Sequence, residues 1–268
     1  MTTRTLTSVL FAALLFAAGR ADAQFAPRND GPENYHVELG VMFWKPTPEL
    51  TLTSGGNPTV DFVEQFKFSD EQFREFRATL KPGRKHKLLF SYIAMEYDKD
   101  AVISGFSYNG TTFPANINAT ADIKWDILQG GYEWDFLSKP QGFLGVVGQL
   151  KYSKVTADVS ASSQVQGQAV TLSTSTEQTA PVPTIGAAGR GYIGKYASIG
   201  GTFTFFKYDN EKDFHAKFYD YDFYGAAHFG KHLGAQVGYR TLDIDFLVDN
   251  DAGTMKPKGP YFGGFLRF

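Results

Sequence analysis

Two dipeptide spacings in this 268-residue chain could do chemistry: Asp98-x-Asp100 and Asp213-x-His215. Paired carboxylates opposite an Asp–His pair can activate a water molecule for peptide hydrolysis, with His215 as base and Asp213 orienting its ring. The same residues also read as a solvated acidic rim that binds divalent cations, because D-x-D and D-x-H arise readily in acidic loops. No G-x-S-x-G, H-E-x-x-H or phosphate-binding loop is present. The chain has no cysteine, which excludes a disulfide framework and a thiolate metal site, and no metal or cofactor is expected. His36, His86, His228 and His232 fall near strand ends or turns and read as solvated or interfacial polar residues.

The elements that must position these residues are strands. Segments with period-two alternation, bounded by Gly, Pro, Asn or Asp, recur at 35–45, 72–80, 85–98, 121–137, 142–159, 180–194, 197–208, 214–229, 233–248 and 256–268. Short turns at 81–84, 138–141, 194–196 and 230–232 alternate with longer polar links at 46–71, 99–120, 160–179, 209–213 and 249–255. The stretch 59–76 has room for a short helix or extra strand, and 160–179 reads as a long surface loop or a strand extension. Sorting of short and long connections is what a transmembrane barrel does, and a soluble sandwich has no reason for it. Ten strands fit best, with eight as the alternative.

Composition agrees. Arg4, the apolar run 6–18 and Ala21-Asp22-Ala23 predict a cleavable leader over 1–23, leaving 24–268 as one domain. Over the full chain 26 Lys and Arg face 28 Asp and Glu, and losing Arg4, Arg20 and Asp22 leaves a net charge of about −3, so no nucleic-acid partner is expected. Aromatic residues make up 16% of the chain at a mean hydropathy of −0.25. No later stretch is long and apolar enough for a membrane helix, so the structure that satisfies every backbone group in lipid is a closed antiparallel up-and-down β-barrel.

Alternation then assigns faces. Tyr132, Trp134 and Phe136 alternate with Glu133 and Asp135; Tyr219, Tyr221 and Phe223 alternate with Asp220 and Asp222. A carboxylate in lipid is costly, so the acidic face lines the lumen. The expected lumen set is Glu75, Arg77, Glu133, Asp135, Asp220, Asp222, Arg240, Asp243, Asp245 and Arg267. Placing Asp243 and Asp245 inside requires a parity switch, hence a bulge, near Arg240. Trp125 and Trp134, nine residues apart, are expected to mark two aromatic girdles on the lipid face.

The final eight residues, Tyr261 to Phe268, carry a resemblance. Tyr261, Gly263, Leu266 and Phe268 occupy the places of the β-signal of outer-membrane proteins, which implies recognition by the barrel-assembly machinery and insertion into the outer membrane. The whole pattern resembles the Gram-negative outer-membrane barrels of small OmpA/OmpW-like or omptin size. The Asp98/Asp100 and Asp213/His215 spacings are similar to those of the omptins, surface proteases that are also ten-stranded barrels, although nothing outside those spacings matches. A narrow lumen filled with paired charge is expected for a structural, surface-exposed protein without a catalytic role, touching outer-membrane lipids and lipopolysaccharide. A small-solute, porin-like channel is the alternative, and an omptin-like protease a further one.

Overall fold

The computed structural model describes residues 33–53, 58–165, 168–210, 214–248 and 251–268; the expected leader and Asp213 lie outside them. Ten strands carry the architecture: β1 (Val37–Trp44), β4 (Phe73–Gly83), β5 (His86–Val102), β8 (Asn118–Lys139), β9 (Gly142–Val165), β10 (Gln168–Ile193), β11 (Ala197–Asn210), β12 (Phe214–Phe229), β13 (Leu233–Val248) and β15 (Lys258–Arg267). Each pairs antiparallel with its neighbour in this order, and β15 returns to β1 with Leu39 opposite Leu266 and Phe43 opposite Phe262. The ring is a closed ten-stranded barrel in which each strand pairs with both neighbours along at least part of its length.

Tight turns gather at one rim, where Gly194 and Gly230 adopt φ of 66° and 75°, a conformation that costs glycine little. The other rim carries the longer connections. Between β1 and β4 the chain forms β2 (Leu50–Thr53), β3 (Val60–Asp61) and the one-turn helix α1 (Phe62–Phe66). The Asp61 carboxylate accepts from the Glu64 amide at 3.0 Å to cap α1, and Lys67 ends it at φ 54°. The hairpin of β6 (Phe106–Tyr108) and β7 (Thr111–Phe113) fills the next link, and β14 (Asp251–Met255) extends β13 toward β2. The link 160–179 is mostly strand: β9 and β10 keep their register out to Val165 opposite Gln168. Its Ser, Thr and Val residues suit a pleated surface, so of the two expected readings the strand extension, not the surface loop, is the one that forms.

Alternation sets two faces. Phe90, Leu128, Tyr132, Trp134, Phe136, Leu150, Ile185, Phe223, Val237 and Phe262 project outward as an exposed apolar surface. Two expectations fail here. Trp125 is 3% exposed and points inward, whereas Trp134 is 44% exposed and points outward. Their separation is odd, and in a strand of period two an odd separation means opposite faces. The bulge near Arg240 is also absent: β12 and β13 pair in unbroken register from Phe214 opposite Val248 to Phe229 opposite Leu233. Leu242 is fully buried in the interior, so Asp243 and Asp245 lie on the outer face, where Asp243 sits 3.8 Å from Lys217 and 3.6 Å from Lys256. The polarity pattern switches because the lumen changes character along its height, not because the strand changes face. Register shifts do occur between Leu80 and Gly83 and between Trp134 and Leu137, both beside tight turns.

Candidate functional site

The half of the lumen nearest the tight turns is built from paired charge. At mid-height Arg240 donates to Asp220 at 2.8 Å and to Glu75 at 2.8 Å, tying β13 to β12 and across the lumen to β4. Arg77 bridges Glu75 at 2.7 Å and Asp222 at 2.8 Å. The Tyr261 hydroxyl donates to Asp222 at 2.6 Å and accepts from the Gln236 amide at 2.7 Å. Lys151, 1% exposed, donates to Asp220.

Nearer the rim, Lys87 pairs with Glu133 at 2.7 Å and Asp135 at 3.0 Å, and its ammonium stands 3.0 Å from the centroid of Phe143. Arg267 donates to Glu38, and Arg190 reaches Glu38 at 3.5 Å and Glu33 at 3.3 Å. Glu33 precedes β1 and lies across the tight-turn mouth, 2.9 Å from Lys81. Burial by itself raises its pKa, but Arg190 and Lys81 outweigh burial and hold the carboxyl well below the usual range. Among the described residues seven cations (Arg77, Lys81, Lys87, Lys151, Arg190, Arg240, Arg267) meet seven carboxylates (Glu33, Glu38, Glu75, Glu133, Asp135, Asp220, Asp222), so this layer is close to neutral. A polar cavity of about 150 Å³ bordered by Gln129 and Gln149 leaves room for a few water molecules beside it.

The other half of the lumen is apolar. Ile93, Met95, Ile123, Trp125, Ile127, Phe218 and Leu242 point inward from the walls. The capped helix α1 drops Phe62 and Phe66 onto them, and Phe62 stacks edge-on against Tyr108 of the β6–β7 hairpin at 5.3 Å. Phe66 in turn packs on Phe68 at 6.0 Å, and Phe68 on Tyr97 at 5.7 Å. The barrel therefore ends in an aromatic cap rather than an open mouth at the hairpin rim.

The outer membrane protease OmpT from Escherichia coli superposes with a TM-score of 0.58 at 11% identity, covering 92% of this chain and 99% of that one. The chain has the fold of an outer-membrane β-barrel. Other barrels align more loosely: the translocator domain of the autotransporter NalP from Neisseria meningitidis at 12% identity over the whole of both chains, TM-score 0.47, and the attachment invasion locus protein Ail of Yersinia pestis at 11% over 87% and 99%, TM-score 0.34. No protein-family model and no curated protein matches the sequence.

Within this barrel the residues singled out for hydrolysis do not converge. Asp98 and Asp100 face outward on β5, where Asp100 accepts from Thr120 and Asp98 stands opposite Asp122 across the ladder. His215 lies on β12 opposite Asp209, its Nδ1 3.5 Å from that carboxylate. β5 and β12 are five places apart in the ten-strand ring, on opposite walls. Phe218 points inward, so by alternation His215 faces out, away from Asp98 and Asp100. Among the described residues no cluster of three His, Asp or Glu is arranged to hold a metal ion.

Of the expected lumen set, Glu75, Arg77, Glu133, Asp135, Asp220, Asp222, Arg240 and Arg267 lie inside; Asp243 and Asp245 lie outside. Sequence reading missed Glu33, Glu38, Lys81, Lys87, Lys151 and Arg190, six of the fourteen members of the network. Arg190 was findable, because it sits among Gly, Ala and Tyr on a strand whose other charge, Glu177, lies thirteen residues away. In the terminal motif Tyr261 turns inward to Asp222, while Leu266 and Phe268 are exposed outside. At Gly263 a Cβ would overlap the Val41 carbonyl and Met42, so the closing strand can lie against β1 only with glycine there.

Proposed function

We propose that this barrel sits in the outer membrane as a non-conducting, surface-exposed protein without a catalytic role, its tight turns in the periplasm and its long hairpins outside. The observation that carries this reading is the doubly blocked lumen: the Arg240–Asp220–Glu75 layer at mid-height and the Phe62–Phe66 cap beyond it. Ions crossing would have to break buried pairs and then pass an apolar packing, each expensive in low dielectric. The exposed aromatic and aliphatic exterior suits acyl chains. Tyr261, Gly263, Leu266 and Phe268 serve as the assembly signal read by the barrel-assembly machinery. Lipopolysaccharide meets the outward charges beyond the apolar band, such as Lys124 with Asp122 at 2.6 Å. The residues 1–23 act as the cleavable leader that directs export.

The test is planar-bilayer conductance of the purified barrel. The reading expects no steady ohmic current at moderate voltage; a persistent single-channel conductance sinks it in favour of the small-solute channel. The proteolytic alternative has its own check: His215→Ala is expected to leave surface peptide hydrolysis by expressing cells unchanged, because His215 and the Asp98/Asp100 pair face away from each other.

A further inference from the structure

Above one point the wall of the barrel is split. β10 and β11 pair from Ile193 opposite Ala197 up to Ile185 opposite Phe205, and there the ladder stops. Both strands go on: β10 stays paired with β9 out to Gln168, and β11 with β12 out to Asn210 opposite Phe214. The β10–β11 register pairs none of 180–184 with 206–210.

The sequence supplies the cause. The Tyr192 amide donates to the Gln141 carbonyl on the β9 side. Peptide groups alternate sides along a strand, so the even residues of β10 address β9 and the odd residues address β11. The odd positions just above the last pair include Pro181 and Pro183, neither of which has an N–H to give. The ladder toward β11 therefore cannot continue, while the ladder toward β9 is untouched.

Behind the split lies a cavity of about 270 Å³, and both edges of the split line it, Val182 from β10 and Phe206 from β11. Its deeper wall is apolar, with Trp125, Val155, Phe218 and Phe246. On the outer surface just below the split, Phe203 stacks on Tyr221 at 4.9 Å and Phe205 packs near Tyr219 at 6.3 Å, the aromatic belt of a lipid interface. Ile185 lies eight residues above Ile193, roughly 20 Å along the membrane normal at usual rise and tilt. The split thus opens at the level where acyl chains of one leaflet meet their headgroups.

We propose that the barrel admits a hydrocarbon chain sideways from the bilayer, between β10 and β11, into this interior cavity. An apolar wall recognises a hydrocarbon by burial, and a lateral opening spares it any passage through water. The site lies in the apolar half of the lumen and is entered through the wall rather than along the barrel axis, so it does not rest on the non-conducting reading.

The experiment uses the full barrel with Trp134→Phe, reconstituted in phosphatidylcholine vesicles, so that the remaining tryptophans, Trp44 and Trp125, are interior. The probe is a terminally brominated dodecanoic acid, with brominated phosphatidylcholine as a second arm. Saturable loss of Trp125 emission is expected with the acid; quenching by both probes assigns the chain to a membrane lipid, and by the acid alone to a free amphiphile. Pro183→Cys with Lys207→Cys then staples the split in a chain that has no cysteine of its own. Oxidation should abolish quenching and reduction restore it. If that variant does not give the heat-modifiable folded band, Pro181→Val with Pro183→Val returns the missing donors and should weaken quenching in the same assay. No quenching in the open barrel, or equal quenching with the split closed, overturns the proposal.

Discussion

The ammonium of Lys151 lies 5.1 Å from the centroid of the Phe218 ring, at the height where the lumen changes from paired charge to apolar packing. The same ammonium donates to Asp220, which also receives Arg240. One side chain thus joins the two layers that fill the barrel: its charge belongs to the network below, its contact with Phe218 to the core above.

Arg240 is expected to be the residue the charged layer least tolerates losing. Arg240→Ala leaves Asp220 and Glu75 without their shared partner in a buried setting, at a cost of about 3–5 kcal/mol. Urea unfolding in vesicles measures this. Adding Glu75→Gln and Asp220→Asn to the Ala variant should recover a large part of the loss; no recovery would show that the defect is not electrostatic.

Trp125 and Trp134 should respond in opposite ways. Trp125→Ala opens a hole in the apolar layer and removes the bond to Ser153 Oγ at 2.8 Å, for a loss of about 3–5 kcal/mol. Trp134→Ala trades one lipid-facing contact and should cost far less. Equal unfolding midpoints for the two variants would refute the assignment of faces.

Phe62→Ala with Phe66→Ala removes the aromatic cap but leaves the Arg240 layer in place. Stability should fall while conductance stays at baseline, because the ion pairs block the lumen independently. An ohmic current in this variant would mean that the cap alone seals the barrel.

Gly263→Val should cut the yield of folded barrel sharply, since a side chain there collides with the Val41 carbonyl on β1. Gly110→Ala, where no neighbour lies within reach, serves as the comparison, its cost limited to a φ of 74°. Heat-modifiable mobility on gels reads both.

Acid should loosen the tight-turn mouth. The Glu33 carboxyl is held below the usual range in the folded state, so its contribution is complete above the ordinary glutamate pKa and is lost as pH falls toward the lowered folded value. Protection of the Lys81 amide, whose N–H bonds the His36 carbonyl, should fall in that acid window once the intrinsic exchange rate is divided out. Glu33→Gln should remove the pH dependence of that protection, and an unchanged profile would show that another group controls the mouth.

Alternation and turn spacing determine a great deal about this protein from sequence alone. The strand count, the closed antiparallel order and the inward placement of Glu133, Asp135, Asp220 and Asp222 follow from period two, a local property of any extended chain. Longer-range matters do not. Whether Leu242 and Asp243 change face near Arg240 depends on what lies across the lumen, and no residue of β13 encodes that. Pairings such as Arg240 with Glu75, 165 residues away, and the descent of Phe62 into the barrel are fixed only when the ring closes and brings opposite walls within side-chain reach. Asp98, Asp100 and His215 show the converse: a spacing suggestive of chemistry cannot tell inside from outside unless the parity of its strand is anchored, and closure of the barrel set His215 on the wall opposite Asp98 and Asp100, all three facing out.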